Sequence, residues 1–335
     1  MAYDKVVDSA SLDSKLTQVA DAIRTKGNTG ADLQFPSGFI SAIQAIQTGT
    51  ELKIVVSVTS GATVTATKGS LSVSGTAVSG TCTLVVPEAG TWSVKATHNG
   101  QTSNTASVSV KDSYALTLNF LKANFADNDW ASIIAACHSG SVPSSWVAGN
   151  SKTMTINGTS YQVDIIGKNH DTYAAGGTAP LTFQLHDCYA NTNQMNSSNT
   201  NVGGWTSCAM RNTHLPAILA LMPTEVQNGI REVNKLTSAG GQSVTINTTA
   251  DKLFLLSEVE IFGSATHSAA GEGTQYAYYK AGNSKVKNVS GSAKSWWERS
   301  PFASIANFFC LVGSDSNAGS NYASNSFGVA FGFCF

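Results

Sequence analysis

The last nine residues of the chain alternate without a break: Phe327, Val329, Phe331, Phe333 and Phe335 fall on one side, Gly328, Ala330, Gly332 and Cys334 on the other. A period of two is the side-chain repeat of a strand. One face is aromatic and the other carries only small residues. The strand is therefore expected to be buried on both sides, with another backbone or ring close against the small face. This strand is expected to close its domain. Upstream, Trp296 and Trp297 precede Glu298, Arg299, Ser300 and Pro301. Adjacent strand residues face opposite ways, so one Trp is expected to fill a core and the other to line a surface. Between these fixed ends, Ser304 to Asn325 is rich in Ser, Asn, Ala and Gly and almost free of formal charge. It is expected to be an irregular loop bracketed by a scaffold, where binding usually sits.

The order Trp296-Trp297-x-Arg299-Ser300-Pro301, then Phe308-x-Cys310, then Tyr322-Ala323-Ser324-x-Ser326-x-Gly328 through Cys334 resembles the C-terminal domain of a large family of gut bacteria and their phages, known only as a domain of unknown function. That family is similar to the C-type-lectin-like and formylglycine-generating-enzyme-like fold of phage receptor-binding proteins. Some of those are diversified by retroelements that mutate adenines. Such mutagenesis of asparagine codons yields Ser, Asn, Tyr, Asp, Ile, Phe, Ala and Gly. The run Ser304, Ile305, Ala306, Asn307, Phe308, Leu311, Ser316, Asn317, Ser320 and Asn321 largely draws on that set. With Trp297 and Tyr322 these are the expected ligand-binding residues.

A length of 335 residues accommodates two or three domains, each able to bury a core. The charged fraction is 12%, about half the usual share, so the surface must be polar through Ser, Thr, Asn and Gly. With a net charge of -1 and no Lys/Arg cluster, the chain lacks the basic footprint of a nucleic-acid binder. Its start has no basic stretch leading into an apolar one, and no apolar run is long enough to span a bilayer. It is expected to be made in the host cytoplasm without a signal peptide or membrane insertion. The six cysteines lack a CxxC spacing and are expected to be buried free thiols.

Taken in order, residues 11–26 have Leu12, Leu16, Val19 and Ile23 at spacings of four, three and four, with Ser11 as N-cap and Gly27 as stop. This narrow apolar seam asks for a partner helix. A second helix carries Phe39, Ile43 and Ile46 on one face. The segment resembles an N-terminal module of tail and baseplate proteins of phages of Firmicutes, which implies attachment or oligomerisation through residues 1–49. Residues 50–112 are short alternating stretches divided by turn pairs such as Ser60-Gly61 and Asn99-Gly100, the texture of a small antiparallel sandwich. Trp92, Val94 and Ala96 face inward and Thr91, Ser93, Lys95 and Thr97 outward. This part resembles immunoglobulin-like domains of bacteria and phages, but holds one cysteine, Cys82, where antibody domains have a bridging pair.

Residues 113–335 read as α+β with an antiparallel core. Asn128 or Asp129 caps a helix with Trp130, Ile133 and Ile134, and Gly140 ends it. Asn157-Gly158 makes a hairpin turn, 181–188 is a strand, and 214–223 is a short helix. Thr224 and Gln227 form a capping box for a helix over 224–236, and 253–263 is a buried strand. Long loops run from Asn191 to Gly204 and from Ser264 to Gly273.

His170-Asp171 and His186-Asp187-Cys188 place metal-ligand types side by side, but adjacent strand residues diverge and no HxxxH spacing occurs. These histidines, and His138 at a helix end, are expected to be structural. The formylglycine-generating relatives use a cysteine pair. Cys310 and Cys334 lie in apolar settings that keep a thiol inert, so an enzyme is not expected. Glu258 and Glu260 alternate along their expected strand and share a face. They either pair with Arg299 or, with loop Asn/Asp side chains, leave a calcium site open; no other cofactor is expected. The Glu-Pro-Asn and Trp-Asn-Asp signatures of calcium-dependent sugar binding are missing.

The expectation is a multidomain chain: short N-terminal helices, an all-β Ig-like sandwich and a C-terminal α+β C-type-lectin-like domain. Its implied function is that of a phage or prophage receptor-binding protein in the virion, at a tail tip or fibre, expected as a homotrimer and contacting a host bacterial surface protein or glycan. The alternatives are a virion decoration protein without a specific ligand, and a copper-dependent thiol oxidase or glycan-active enzyme.

Overall fold

A computed structural model describes residues 9–27, 30, 32–45, 51–118 and 120–335. The fold is mixed and strand-rich. It divides into two compact units, Met1–Val94 with Ser107–Thr117, and Lys95–Ala106 with Leu118–Phe335. Among the described residues no helix is long and apolar enough to cross a membrane.

In the first unit the helices Ser9–Gly27 and Ser37–Ala45 pack through buried Ala20, Ile23 and Phe39, with Leu16, Leu33 and Ala42 against them. The expected seam is half used. Leu16 and Ile23 turn inward, whereas Leu12, Val19 and Ile43 remain exposed. The small Ala20 takes the place beside Ile23 that the heptad spacing gave to Val19. The first helix also begins at Ser9, upstream of the expected cap at Ser11. Ile46 lies outside the described residues.

The strands that lie wholly or partly in residues 51–117 form two sheets. One has the order Thr81–Val85, Lys53–Ser57, Ser113–Thr117, the last pair parallel. The other joins Leu71–Thr76 to Thr63–Lys68 and then to Gly90–His98, with Ala106–Val110 also on Gly90–His98. Burial alternates as expected: Trp92 and Val94 lie inside, Thr91 and Ser93 outside. The Trp92 indole donates to the Glu88 carbonyl at 3.1 Å, so its one polar atom is satisfied as the ring is buried.

In the second unit, Asp129 caps the helix Trp130–His138 by accepting from the Ser132 amide, and Asn157 and Gly158 turn the hairpin with φ of 47° and 77°. The main sheet is antiparallel, in the order Leu253–Phe254, Gly332–Cys334, Leu181–Leu185, Thr159–Lys168, Ser151–Ile156. The C-terminal strand is thus internal to the sheet, and Val329 through Phe335 are all buried. Its small face is required: a Cβ on Gly332 would meet the Phe183 carbonyl and the Phe254 ring, each at 2.9 Å. On the aromatic side, Phe183 stacks on Phe333 with ring centroids 5.3 Å apart. Each such ring contributes roughly 2–3 kcal/mol by burial.

Three expected elements differ. The helix expected over 224–236 stops at Gly229, and Val233–Gly240 is a strand paired with Ser243–Asp251. Pro223 occupies the cap position, and Gln227 instead donates to the carbonyls of Ala220 and Met222, closing the preceding helix. The strand expected over 253–263 covers only Leu253–Phe254. Ser257 then caps the helix Glu258–Phe262 in a full capping box with Glu260. Finally, Ser304 to Asn325 is no irregular loop. It contains the strands Phe308–Val312 and Ala318–Tyr322, which extend Trp296–Pro301 into a three-stranded antiparallel sheet.

Candidate functional site

The register between Trp296–Pro301 and Phe308–Val312 slips between Trp297 and Pro301, and Glu298, Arg299 and Ser300 are turned fully inside. Three polar side chains in a core require partners. Arg299 finds them by donating to both carboxylate oxygens of Glu260, the carbonyls of Leu236, Leu255 and Glu272, and the Thr237 hydroxyl. Ser300 donates to Glu272. Lys235 bridges outward from the same group, 2.7 Å from Glu260 and 2.7 Å from Asp171. Burial works to raise both carboxyls, but Arg299 and Lys235 outweigh it at Glu260, and Lys235 with the Thr182 hydroxyl holds Asp171 down at about 2.

Glu258 fixes a loop. Its carboxylate accepts from the backbone amides of Thr266, His267 and Ser268 and from the Ser268 hydroxyl, at 2.7 to 3.1 Å. Glu258 and Glu260 therefore do not share the face of a strand. They sit on one short helix with separate duties, each already supplied with donors. Among the described residues no group of His, Cys, Asp and Glu is arranged to hold a metal ion. Glu298 lacks such donors: neither carboxyl oxygen has a hydrogen-bond partner, and the nearby Ser238 hydroxyl is likewise unpaired. Burial, reinforced by Glu258 and Glu272, pushes its carboxyl well above the ordinary range.

Above this polar core, Asn201 gathers the surface loops. Fully buried, its amide nitrogen donates to the carbonyls of Ile305 at 2.8 Å and Phe308 at 2.7 Å, and its side-chain oxygen accepts from Gly241 at 2.8 Å. Its backbone amide donates to Ala306 at 2.7 Å. Gly240, with φ of 68°, lies so close that a Cβ there would collide with the Asn201 carbonyl. Gln242 adds a bond to the Ser304 carbonyl at 2.7 Å, and Ala323 donates to the Asn307 carbonyl at 2.9 Å. The segment 304–308 is thus pinned from both flanks.

What this scaffold presents is a row of rings. His267 stacks on Phe302 at 5.3 Å, Phe302 meets Phe308 edge-on at 6.2 Å, and Phe308 meets Tyr322 edge-on at 4.5 Å. Tyr322 is 45% exposed and Ile305 37%. Phe302, Phe308 and His267 are half-buried, and so is Asn307, whose side-chain oxygen has no donor.

Of the expected binding residues, Ser304, Ile305, Ala306, Asn307, Phe308 and Tyr322 come together here. Asn321 lies opposite Phe309 and Ser320 opposite Cys310 along the adjoining strand. Ser316 and Asn317 lie in the turn at the far end, roughly 13 Å away by strand rise, and face a different stretch of surface. Leu311 and Trp297 are core residues. Trp297 is fully buried, packs edge-on against Phe327 at 4.9 Å and donates to the Asn193 carbonyl at 2.8 Å. The expectation that one of the adjacent Trp residues lines a surface fails because both faces of this short strand are covered. His267, Phe302 and Asn201 are not among the expected binding residues, although Asn201 and His267 lie in the two long loops, 191–204 and 264–273, that length and polarity mark out.

The six cysteines are free and buried. Burial pushes the thiols of Cys310 and Cys334 well above their usual range, and the two lie in different sheets. The histidines are engaged locally: His186 with Asp164 at 2.7 Å, His138 with the Gly229 carbonyl at 2.8 Å, and His170 stacked on Tyr276 at 4.0 Å.

Residues 181–334, which include this sheet and the terminal strand, are similar to a family described as a Domain of unknown function (DUF6273). No curated protein and no solved structure matches the chain.

Proposed function

We propose that this chain is a receptor-binding protein of a phage or prophage tail, and that the surface formed by Ser304–Phe308 and Tyr322 contacts a ligand on the host cell. The observation that carries this is an uncharged group of side chains, exposed Ile305 and Tyr322 beside half-buried Asn307 and Phe308, on a firm support: Asn201 and the Arg299–Glu260 core hold the backbone beneath them. Rigid rings give contact area at little entropic cost, and Ser and Asn supply adaptable hydrogen bonds, the composition that antibody paratopes also use. The Trp296 to Cys334 motif supports a C-type-lectin-like fold for the second unit, and gene diversification by adenine mutagenesis is part of the same proposal. The two small sheets around Trp92 support an Ig-like spacer. Exposed Leu12, Val19, Ile40 and Ile43 on the N-terminal helices supply an apolar face for docking to a tail or for association of copies, and multivalent display would add weak contacts into firm adhesion. No cofactor or catalytic step is part of the proposal, and the site of action is the virion. Saturable binding of the full chain to some bacterial strains but not others is the expected result. Absence of binding across a broad strain panel contradicts it.

A further inference from the structure

Resting on that proposed adhesin function, we infer that the ligand met at Ile305, Asn307, Phe308 and Tyr322 is a neutral carbohydrate, held by ring stacking and amide hydrogen bonds without a metal ion. Charge is the first ground. From Phe302 to Phe327 the only formally charged residue is Asp315, which lies in the turn at the far end of the sheet and is engaged with Asn317. An anionic or cationic ligand would find no counter-charge among these residues.

Ring geometry is the second ground. Phe308 and Tyr322 stand at 81° to each other, so the pair offers one ring's face beside another's edge. The C–H face of a pyranose is apolar, with slightly positive hydrogens that suit the electron-rich face of an aromatic ring, while its rim of hydroxyls needs donors and acceptors at the side. Asn307 supplies that need. Its side-chain oxygen is shielded and has no donor, a state that costs about 1–3 kcal/mol until a donor arrives. A sugar hydroxyl met when the half-buried amide turns outward relieves it.

The extent of the patch is the third ground. Between Phe302 and Phe327 Ile305 is the one exposed large aliphatic side chain, exposed Val202 next to Asn201 adds a second, and Phe302 and Phe308 are half-buried. A stable protein–protein interface has an apolar core of many residues, whereas one or two sugar rings need no more than this.

The test uses the full chain against an immobilised panel of neutral oligosaccharides and the matching uronate-containing ones, together with intact cells of a strain that it binds, treated either with periodate, which cleaves vicinal diols, or with protease. Binding on the neutral panel is expected, weakened about tenfold or more by Tyr322→Ala. Tyr114→Ala in the first unit, where the ring is also exposed, is expected to change nothing. Cell binding is expected to vanish with periodate and to survive protease. Binding that survives periodate and is lost to protease, or that prefers the uronates, overturns the carbohydrate inference and leaves the adhesin function standing. Absence of binding to any cell removes both.

Discussion

The side-chain amide of Asn201 donates to the carbonyl oxygen of Phe308 at 2.7 Å across more than a hundred residues of chain. That bond fixes the backbone from which the Phe308 ring projects. Phe308 begins the strand whose partner carries Tyr322, and the same amide also holds Ile305.

Replacing Asn201 by Ala leaves the carbonyls of Ile305 and Phe308 and the Gly241 amide without their buried partner. The expected cost is about 3 kcal/mol, one to two buried groups' worth of lost satisfaction. Urea unfolding of the full chain is expected to show the loss in the transition of the second unit, and cell binding is expected to fall with it.

Arg299→Met is expected to cost about 3–5 kcal/mol, because Glu260 keeps only Lys235 as a cationic partner while several buried carbonyls lose a donor. Arg299→Lys is expected to recover little, since an ammonium cannot reproduce the planar fork that bonds both Glu260 oxygens. Denaturant midpoints of the two variants check this.

Asp171 gives a pH signature. Its folded-state value, about 2, lies below that of an unfolded Asp, so its contribution is present above pH ~4 and is lost as pH falls toward ~2. The stability difference between wild type and Asp171→Asn should therefore contain a component of about 2 kcal/mol that disappears over this window. Thermal unfolding at pH 2.5 and 6 measures it; an unchanged difference contradicts the assignment.

Glu298 has the opposite sign. Its carboxyl is raised, so above the unfolded value near ~4.3 the folded state retains a proton that the unfolded chain releases, and stability falls as pH rises. Glu298→Met removes an unsatisfied buried group and is expected to stabilise the fold by about 1–3 kcal/mol at neutral pH, with a smaller gain near pH 4. Calorimetry at the two pH values decides the sign.

The sequence was most legible where side-chain pattern and turn chemistry agree. The Phe327–Phe335 alternation, the Asn157-Gly158 turn and the Asp129 cap all signal their structure locally. It was least legible where charged residues are buried. Lys235 falls within the helix expected over 224–236, yet it lies inside a strand between Asp171 and Glu260. Glu258 and Glu260 look like alternating strand positions, although Ser257 three residues before Glu260 is a capping box that the residues do spell out.

The surface was legible in composition but not in shape. Ala318–Tyr322 has too little apolar character to read as a strand, and only its pairing with Phe308–Val312 makes it one. The same pairing separates Ser316 and Asn317 from Phe308 and Tyr322, and it buries Leu311. Asn201 carries no local signal, because its partners lie far along the chain.

The most direct measurement is flow cytometry of bacterial cells with labelled full chain, comparing wild type, Ile305→Ala with Tyr322→Ala, and Tyr114→Ala. The account predicts saturable binding for wild type and Tyr114→Ala and its loss in the double variant, with all three equally folded by circular dichroism. Equal binding by the double variant would contradict the placement of recognition at this surface.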